Sequence, residues 1–284
     1  MKEHHGFIYG VLSALANAVM TVFVKFAVDV NNPTLIFFRF LIGLLMLLPL
    51  VRKKKIHFSL RSIPKHLFRA LCGLAAIATY IIAVKLVPIV NAVALWNTAP
   101  LFIPFVVLIW MKLLVSKKRF FAVFVGFVGV LFILRPTELL HDAGNLFALS
   151  SGLLSAIGWV GIRQLSRSES TETILLYYFV ISVAFMFIPM LATWTPVVNW
   201  LDWVYILGIG IFGYLNQHFL TQSFAHAPAS KVSAMNYLTV IFGALAGWWI
   251  FDEKVSWVDS FGISLVIVGG ILALLDKSEP AKLK

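Results

Sequence analysis

The 284-residue sequence predicts an all-α membrane protein, with ten transmembrane helices in two inverted five-helix repeats and both termini in the cytoplasm. Three observations carry this prediction. The chain is 61% hydrophobic and 12% charged, against about 45–50% and 25% for a soluble domain, so most of its apolar surface must face lipid or lie between lipid-embedded helices. Its basic residues gather on alternate connections between apolar runs. Its second half also repeats the first at a near-constant offset.

Apolar runs long enough to span a bilayer lie at about 6–28, 33–51, 66–86, 89–111, 119–135, 144–163, 173–194, 201–222, 230–251 and 256–275. The first continues unbroken to Ala27, past the length of a signal-peptide core, so Met1–His5 and Ala14–Ala16 are read as part of a helix and not as a cleaved leader. One set of alternate connections holds Lys2, the cluster Arg52, Lys53, Lys54, Lys55, Arg61, Lys65 and Arg69, the cluster Lys112, Lys117, Lys118 and Arg119, then Arg163, Arg167, Lys231, Lys277, Lys282 and Lys284. The other set holds Lys25, Lys85, Arg135 and Lys254, and Arg39 sits within a span. A split of 18 to 4 places both termini in the cytoplasm and makes the +11 net charge a topology signal that needs no nucleic-acid partner.

Gly10–Leu15 reads against Gly152–Ile157 at an offset of 142, and the rest of each half matches at 140. Pro49 falls on Pro189, Pro88 on Pro228, Ala94 on Ala234, Val115-Ser116 on Val255-Ser256, Phe121 on Phe261, and Val128-Gly129 on Val268-Gly269. The repeats are therefore 6–135 and 144–276, followed by a cytoplasmic tail, 277–284. Five spans per repeat force the second copy into the membrane upside down, the arrangement that supports alternating access.

Several chemistries drop out. Cys72 is the sole cysteine, so a disulfide, a thiolate metal cluster or a CxxC redox pair cannot form. No H-E-x-x-H, Walker lysine motif or nucleophile elbow occurs, so neither an enzyme nor a bound metal or cofactor is expected. Gly208, Gly210 and Gly213 fit G-x-G-x-x-G, but inside an apolar span, which reads as close helix packing.

Ten spans in two inverted halves, prolines in the fourth and ninth spans, Phe224–Ser230 leading into the ninth and Phe251–Ser256 leading out of it resemble the drug/metabolite transporter superfamily, EamA type. The resemblance implies secondary transport of a small polar metabolite, amino-acid-like or cofactor-like, across the bacterial cytoplasmic membrane, by a monomer or homodimer. S-adenosylmethionine or a nucleotide-like metabolite is the alternative substrate, and a membrane scaffold is the reading without transport. Glu253 matches an acid the family carries, whereas its counterpart in the first half is Leu113.

Candidate substrate-binding residues follow from polar and aromatic groups placed within spans. Arg39 lies about 9 Å into the second helix, where it either clamps an anion with its planar fork or snorkels to the outer interface. Lys25 and Lys85, near the outer ends of their helices, have the same two readings. In the fourth and ninth helices Trp96, Asn97, Pro100 and Pro104 match Ser233, Asn236 and Tyr237, each set on one face, and proline in a span frees carbonyls tolerated only beside protein or a water-lined cavity. Of the nine tryptophans, Trp96 and Trp159 lie within spans; with Tyr80, Tyr214 and Tyr237 they suit a ring or a cationic group, or pack the core. Trp110, Trp194, Trp200, Trp203, Trp248, Trp249 and Trp257 lie near span ends as interface anchors. His218 is the coupling candidate, because all twelve acids fall at termini, loops or helix ends. Transport should accordingly run as facilitated diffusion or exchange, with counterflow unaffected by collapse of a pH gradient. A stoichiometric proton current that survives His218→Gln would refute that expectation.

Overall fold

The computed structural model describes residues 2–53, 62–111, 113–114, 116–134, 143–227, 232, 235–275 and 281–282. Its helices are α1 (Lys2–Phe26), α2 (Asn32–Lys53), α3 (Ile63–Leu86), α4 (Ile89–Trp96), α5 (Ala99–Met111), α6 (Lys117–Leu134), α7 (Ala143–Leu165), α8 (Thr171–Ala192), α9 (Trp200–His226), α10 (Leu238–Phe251) and α11 (Trp257–Leu275). A short antiparallel pairing joins Leu113–Leu114 to Ala281–Lys282. Each predicted span has its helix, and the fourth is divided between α4 and α5. Pro228, Lys231, Ser233, Arg135 and the 54–61 connection lie outside the described residues, as does the side chain of Trp110.

Six stretches are long and apolar enough to cross a membrane: His5–Phe26, Asn32–Arg52, Ile63–Leu86, Ile89–Val106, Ala143–Leu165 and Thr171–Ala192. Phe120–Ile133, Leu238–Phe251 and Trp257–Leu272 are shorter apolar stretches. Large apolar side chains lie exposed along the outside, among them Leu45, Ile109, Phe121, Phe124 and Ile188, as lipid contact requires. Trp200, Trp249 and Trp257 stand out at 70%, 85% and 92% exposure near helix ends, where amphipathic rings favour the headgroup level.

Local chemistry sets the helix limits. Asn31 Oδ1 accepts from Thr34 N at 2.9 Å, Ser170 Oγ from Thr173 N at 3.3 Å, and Asn199 Oδ1 from Leu201 N at 3.1 Å, each capping a helix start. Pro64 sits in the first turn of α3, where its missing N–H costs nothing. The fourth span breaks at Asn97-Thr98 because Pro100 offers no amide and disfavours helical geometry in the residue before it. A turn at Tyr237 precedes α10, 140 residues after Asn97.

The most extensive packing runs between halves, not within them. α1 lies on α9, α3 on α7, α6 on α11, α2 on α8 and α9, α3 on α8, α4 on α7 and α10, and α1 on α10. Exchanging the two sets of five spans maps this list onto itself. Small residues permit the close approaches: Gly208 lies against the Phe23 ring, Gly210 against Ile42 and Gly213 against Arg39, so the G-x-G-x-x-G stretch is a packing face.

At the α6–α11 crossing backbone packs on backbone, and a Cβ on Gly129 would fall 2.5 Å from Gly262 O. Gly129→Leu should therefore destabilise the protein by about 1–3 kcal/mol or more through overpacking. Gly158→Ala, whose added Cβ would meet nothing nearer than 3.9 Å, should stay within about 0.5 kcal/mol of the parent. Thermal unfolding in detergent compares the two.

Candidate functional site

Between α3, α4, α7, α8 and α9 lies a partly enclosed cavity lined by Arg69, Gly73, Ala76, Ile77, Trp96, Ser155, Gly158, Trp159, Ile162, Tyr178, Asn216, Gln217 and Leu220. About 30 Å³ of it admits the centre of a water-sized sphere, room for about two waters. A wider groove between Phe68, Phe105, Ile109 and Leu153 is apolar and lies among exposed hydrophobic side chains, which places it against lipid. The polar cavity is thus the candidate site.

Helix geometry delivers its residues. Once Pro64 has started α3, Arg69, Gly73, Ala76, Ile77 and Tyr80 share one face. A side chain at position 73 would crowd Tyr178 Cε2 at 3.0 Å and Arg69 Nη1 at 3.2 Å, so glycine there lets the two meet. Arg69 Cζ sits 3.8 Å from the Tyr178 ring centroid, and the Tyr178 hydroxyl donates to Gly73 O at 3.3 Å. Trp96 ends α4 and donates through Nε1 to Ser155 Oγ at 2.7 Å; its ring lies 5.1 Å from Tyr80 and 6.1 Å from Trp159. Tyr80, fully buried, shares a 2.7 Å hydrogen bond with Thr21 and so supports Trp96 from behind.

The electrostatics are unbalanced. Arg39 is fully buried and Arg69 nearly so, at 3% exposure. All three guanidinium nitrogens of Arg39, and Nε and Nη1 of Arg69, are buried without a hydrogen-bond partner. Burying a guanidinium in a membrane-spanning helix costs about 2.5–3.5 kcal/mol. Stacking of Arg39 over Phe40 at 4.8 Å and of Arg69 on Tyr178 offsets part of this, at about 0.5–2 kcal/mol each. A net cost remains that an anionic ligand is suited to offset.

The other predicted residues are spread around this centre. Arg39 lies over Phe40 and against Gly213, and does not line the cavity. Asn97 caps the end of α4 and bonds Val93 O through Nδ2 at 2.8 Å. Asn236 and Tyr237 are buried away from the cavity lining, with the Tyr237 hydroxyl pressed against Gly270. Tyr214 stacks on His218 at 5.7 Å, and His218 also meets Phe219 at 5.8 Å; neither lines the cavity. The structure therefore brings together Trp96, Trp159 and, one layer out, Tyr80 and Arg39. Arg69 corrects the sequence reading, which counted it with a cytoplasmic connection; Tyr178, Ser155, Asn216 and Gln217 also went unnoticed as site residues. The 69/73/76/77/80 face and the adjacent amides beside His218 were the available signals.

Both ends of the bundle are tied. At one, Lys25 Nζ lies 3.3 Å from Glu253 Oε1 and donates to Val87 O at 2.8 Å, while Glu253 Oε2 accepts from Ile89 N at 2.8 Å. Asp252, at φ 52°, turns the chain so that Glu253 N closes α10 on Gly247 O. Lys85 donates to Val28 O and Val30 O, so both lysines are anchored at the helix ends and do not line the cavity. At the other end His66 Nε2 lies 2.7 Å from Glu169 Oε2, with its ring stacked 4.0 Å from Tyr177. Arg163 donates to Phe224 O at 2.9 Å and Ser223 to Gly6 O at 2.7 Å.

The family model for EamA-like transporters matches this chain twice, at residues 4–135 and 142–275. The chain belongs to the EamA-like transporter family. It is 28% identical over 278 residues to the pseudopaline exporter CntI of Pseudomonas aeruginosa, covering 95% of this chain and 93% of that one. It is 25% identical over 258 residues to a riboflavin transporter of Vibrio cholerae, covering 88% and 87%. A solved crystal structure superposes with a TM-score of 0.68 at 16% identity, over 95% of this chain and 98% of that one, a likeness of fold. The protein is thus a multi-pass integral membrane transporter and not an enzyme.

The end ties predict how the cavity opens. With Cys72→Ser as background and a reporter thiol at Ser155→Cys, Glu253→Ala and Glu169→Ala should each speed labelling by a membrane-impermeant maleimide about tenfold, the worth of one charge-assisted bond. The two effects should appear from opposite sides of the membrane. Equal acceleration from one side in both variants would show that these ties do not close the ends.

Proposed function

We propose that the protein carries a small polar metabolite, amino-acid-like or cofactor-like, across the cytoplasmic membrane by alternating access. Two halves, 6–135 and 144–276, inverted with respect to one another, rock about the central cavity, and the termini, including the 277–284 tail, face the cytoplasm. The observation that carries this reading is a polar, aromatic cavity between interleaved halves, tied shut at both ends and too small for a metabolite. Such a cavity fits a state between two openings. Packing that is unchanged on exchanging the halves lends support, because equivalent contacts let one arrangement interconvert with its mirror in sequence.

The relatives are named for unlike molecules, so the substrate reading rests on the cavity. Guanidinium on one wall suits a carboxylate, and Trp96 and Trp159 suit a planar or apolar body. A sulfonium ion would sit poorly beside Arg39 and Arg69, and no observation favours S-adenosylmethionine over other metabolites.

Uptake of a labelled metabolite panel into proteoliposomes tests the carrier reading. Arg39→Ala and Trp96→Ala should each reduce uptake of a transported compound about tenfold or more, as loss of about 1.4 kcal/mol or more predicts, with insertion and folding retained. Unchanged kinetics in both variants would remove the cavity from the pathway.

A further inference from the structure

Arg39 on α2 and Arg69 on α3 start from opposite ends of the bundle, about 10 Å and about 9 Å along their helices, and are linked through two rings, Phe40 and Tyr178. Arg69 lies flat on the Tyr178 ring at 3.8 Å. Arg39 stacks over Phe40 at 4.8 Å, and the Phe40 ring meets the Tyr178 ring edge-on at 5.1 Å, so a line of aromatic contacts joins the two guanidiniums. Five of their nitrogens are buried and unpartnered. Among the described residues, neither side chain forms an ion pair with a carboxylate.

One carboxylate presents two oxygens and satisfies a single guanidinium fork, leaving the second cation unpaired. From the second half the cavity receives neutral groups only: Ser155, Asn216 and Gln217, with Gln217 Nε2 itself buried without a partner. We infer that this site takes a dianion, an organic molecule with two carboxylates or one phosphate, held between Arg69 and Arg39 with its uncharged part against Trp96 and Trp159. Tyr178 lines the cavity while Arg39 does not; its ring packs on Phe40, which carries Arg39, and it is tethered by one long hydrogen bond to Gly73 O at 3.3 Å. It is a positioning residue: its ring must turn aside for the second guanidinium to reach the ligand. The inference deepens the carrier reading, on which the use of the site for transport rests.

The test uses the full-length protein in detergent and in proteoliposomes, at matched ionic strength, with succinate, glycerol phosphate and butyrate as probes. Succinate or glycerol phosphate should raise the unfolding temperature and quench tryptophan fluorescence at concentrations at least tenfold below those butyrate requires, and comparing the two separates paired carboxylates from a phosphate. Arg39→Gln and Arg69→Gln should each weaken dianion binding tenfold or more and erase the margin over butyrate. Should either fail to fold, Arg39→Lys and Arg69→Lys keep the charge without the fork and should show a reduced margin. Equal response to monoanion and dianion, no response to either dianion, or dianion binding that survives both glutamine variants would overturn the inference. Exchange of labelled probes distinguishes the two readings: flux of neutral or cationic solutes alone keeps the carrier and overturns the dianion site, whereas arginine-dependent binding without flux of any panel compound keeps the site and overturns the carrier.

Discussion

A charge within a bilayer has no water to answer it, and the polar architecture of this protein is organised by that constraint. At the two ends of the bundle four basic side chains have nearby acceptors: Lys25 has Glu253 and a carbonyl, Lys85 two carbonyls, Arg163 a carbonyl, and His66 lies against Glu169. At the centre the pattern reverses, and the two buried guanidiniums stack on aromatic faces with five nitrogens left without a hydrogen-bond partner. Glu253 and Glu169 thus serve the ends of the bundle, and among the described residues no carboxylate lines the cavity. Paired charges hold elements together, while unpaired ones hold binding capacity.

Backbone geometry reinforces this division. The break between α4 and α5 lets Trp96 end one helix and reach Ser155 on α7, and Gly152 on α7 packs directly against Thr98 and the carbonyls of Leu95 and Trp96. The Leu95 carbonyl is held by Thr98, through its amide at 3.1 Å and its hydroxyl at 2.6 Å, and a larger residue at 152 would hold α7 away from this turn. The turn at Tyr237 is the corresponding interruption in the second half, yet its polar side chains face α11 through Gly270 and not the cavity. Equivalent breaks thus serve different ends: one shapes the site, the other packs the rim.

Much of this was legible in the sequence, for physical reasons that also mark where legibility stops. Span count follows from hydropathy, which is additive along the chain, and the tryptophan pair followed from aromatic residues placed inside spans. Arg39 declared itself because a lone charge in an apolar run is conspicuous. Arg69 did not, since it follows Arg61 and Lys65 closely enough to be counted with a loop, although Pro64 marks a helix start that carries it inward. Tyr178 has no local signal at all; its role comes from Gly73, 105 residues away, to which it is hydrogen bonded. Lys25 and Glu253 are separated still further, so their pairing belongs to the fold and to no local motif.

Packing that survives exchange of the halves does not make the site symmetric. Both guanidiniums come from the first half, on α2 and α3, while the amides Asn216 and Gln217 and the phenol of Tyr178 come from the second. An electrostatic field that is lopsided in this way orients an anionic ligand, with its charge toward the first half and its hydrogen-bonding groups toward the second. In the alternating-access cycle proposed above, the charged contacts would travel with α2 and α3 and the neutral ones with α8 and α9. A ligand must then give up contacts to one half before it leaves along the other, and the weaker neutral contacts on α9 are the ones released at least cost. In that proposed cycle, a charge asymmetry set within packing that survives exchange of the halves would give two otherwise equivalent openings different affinities.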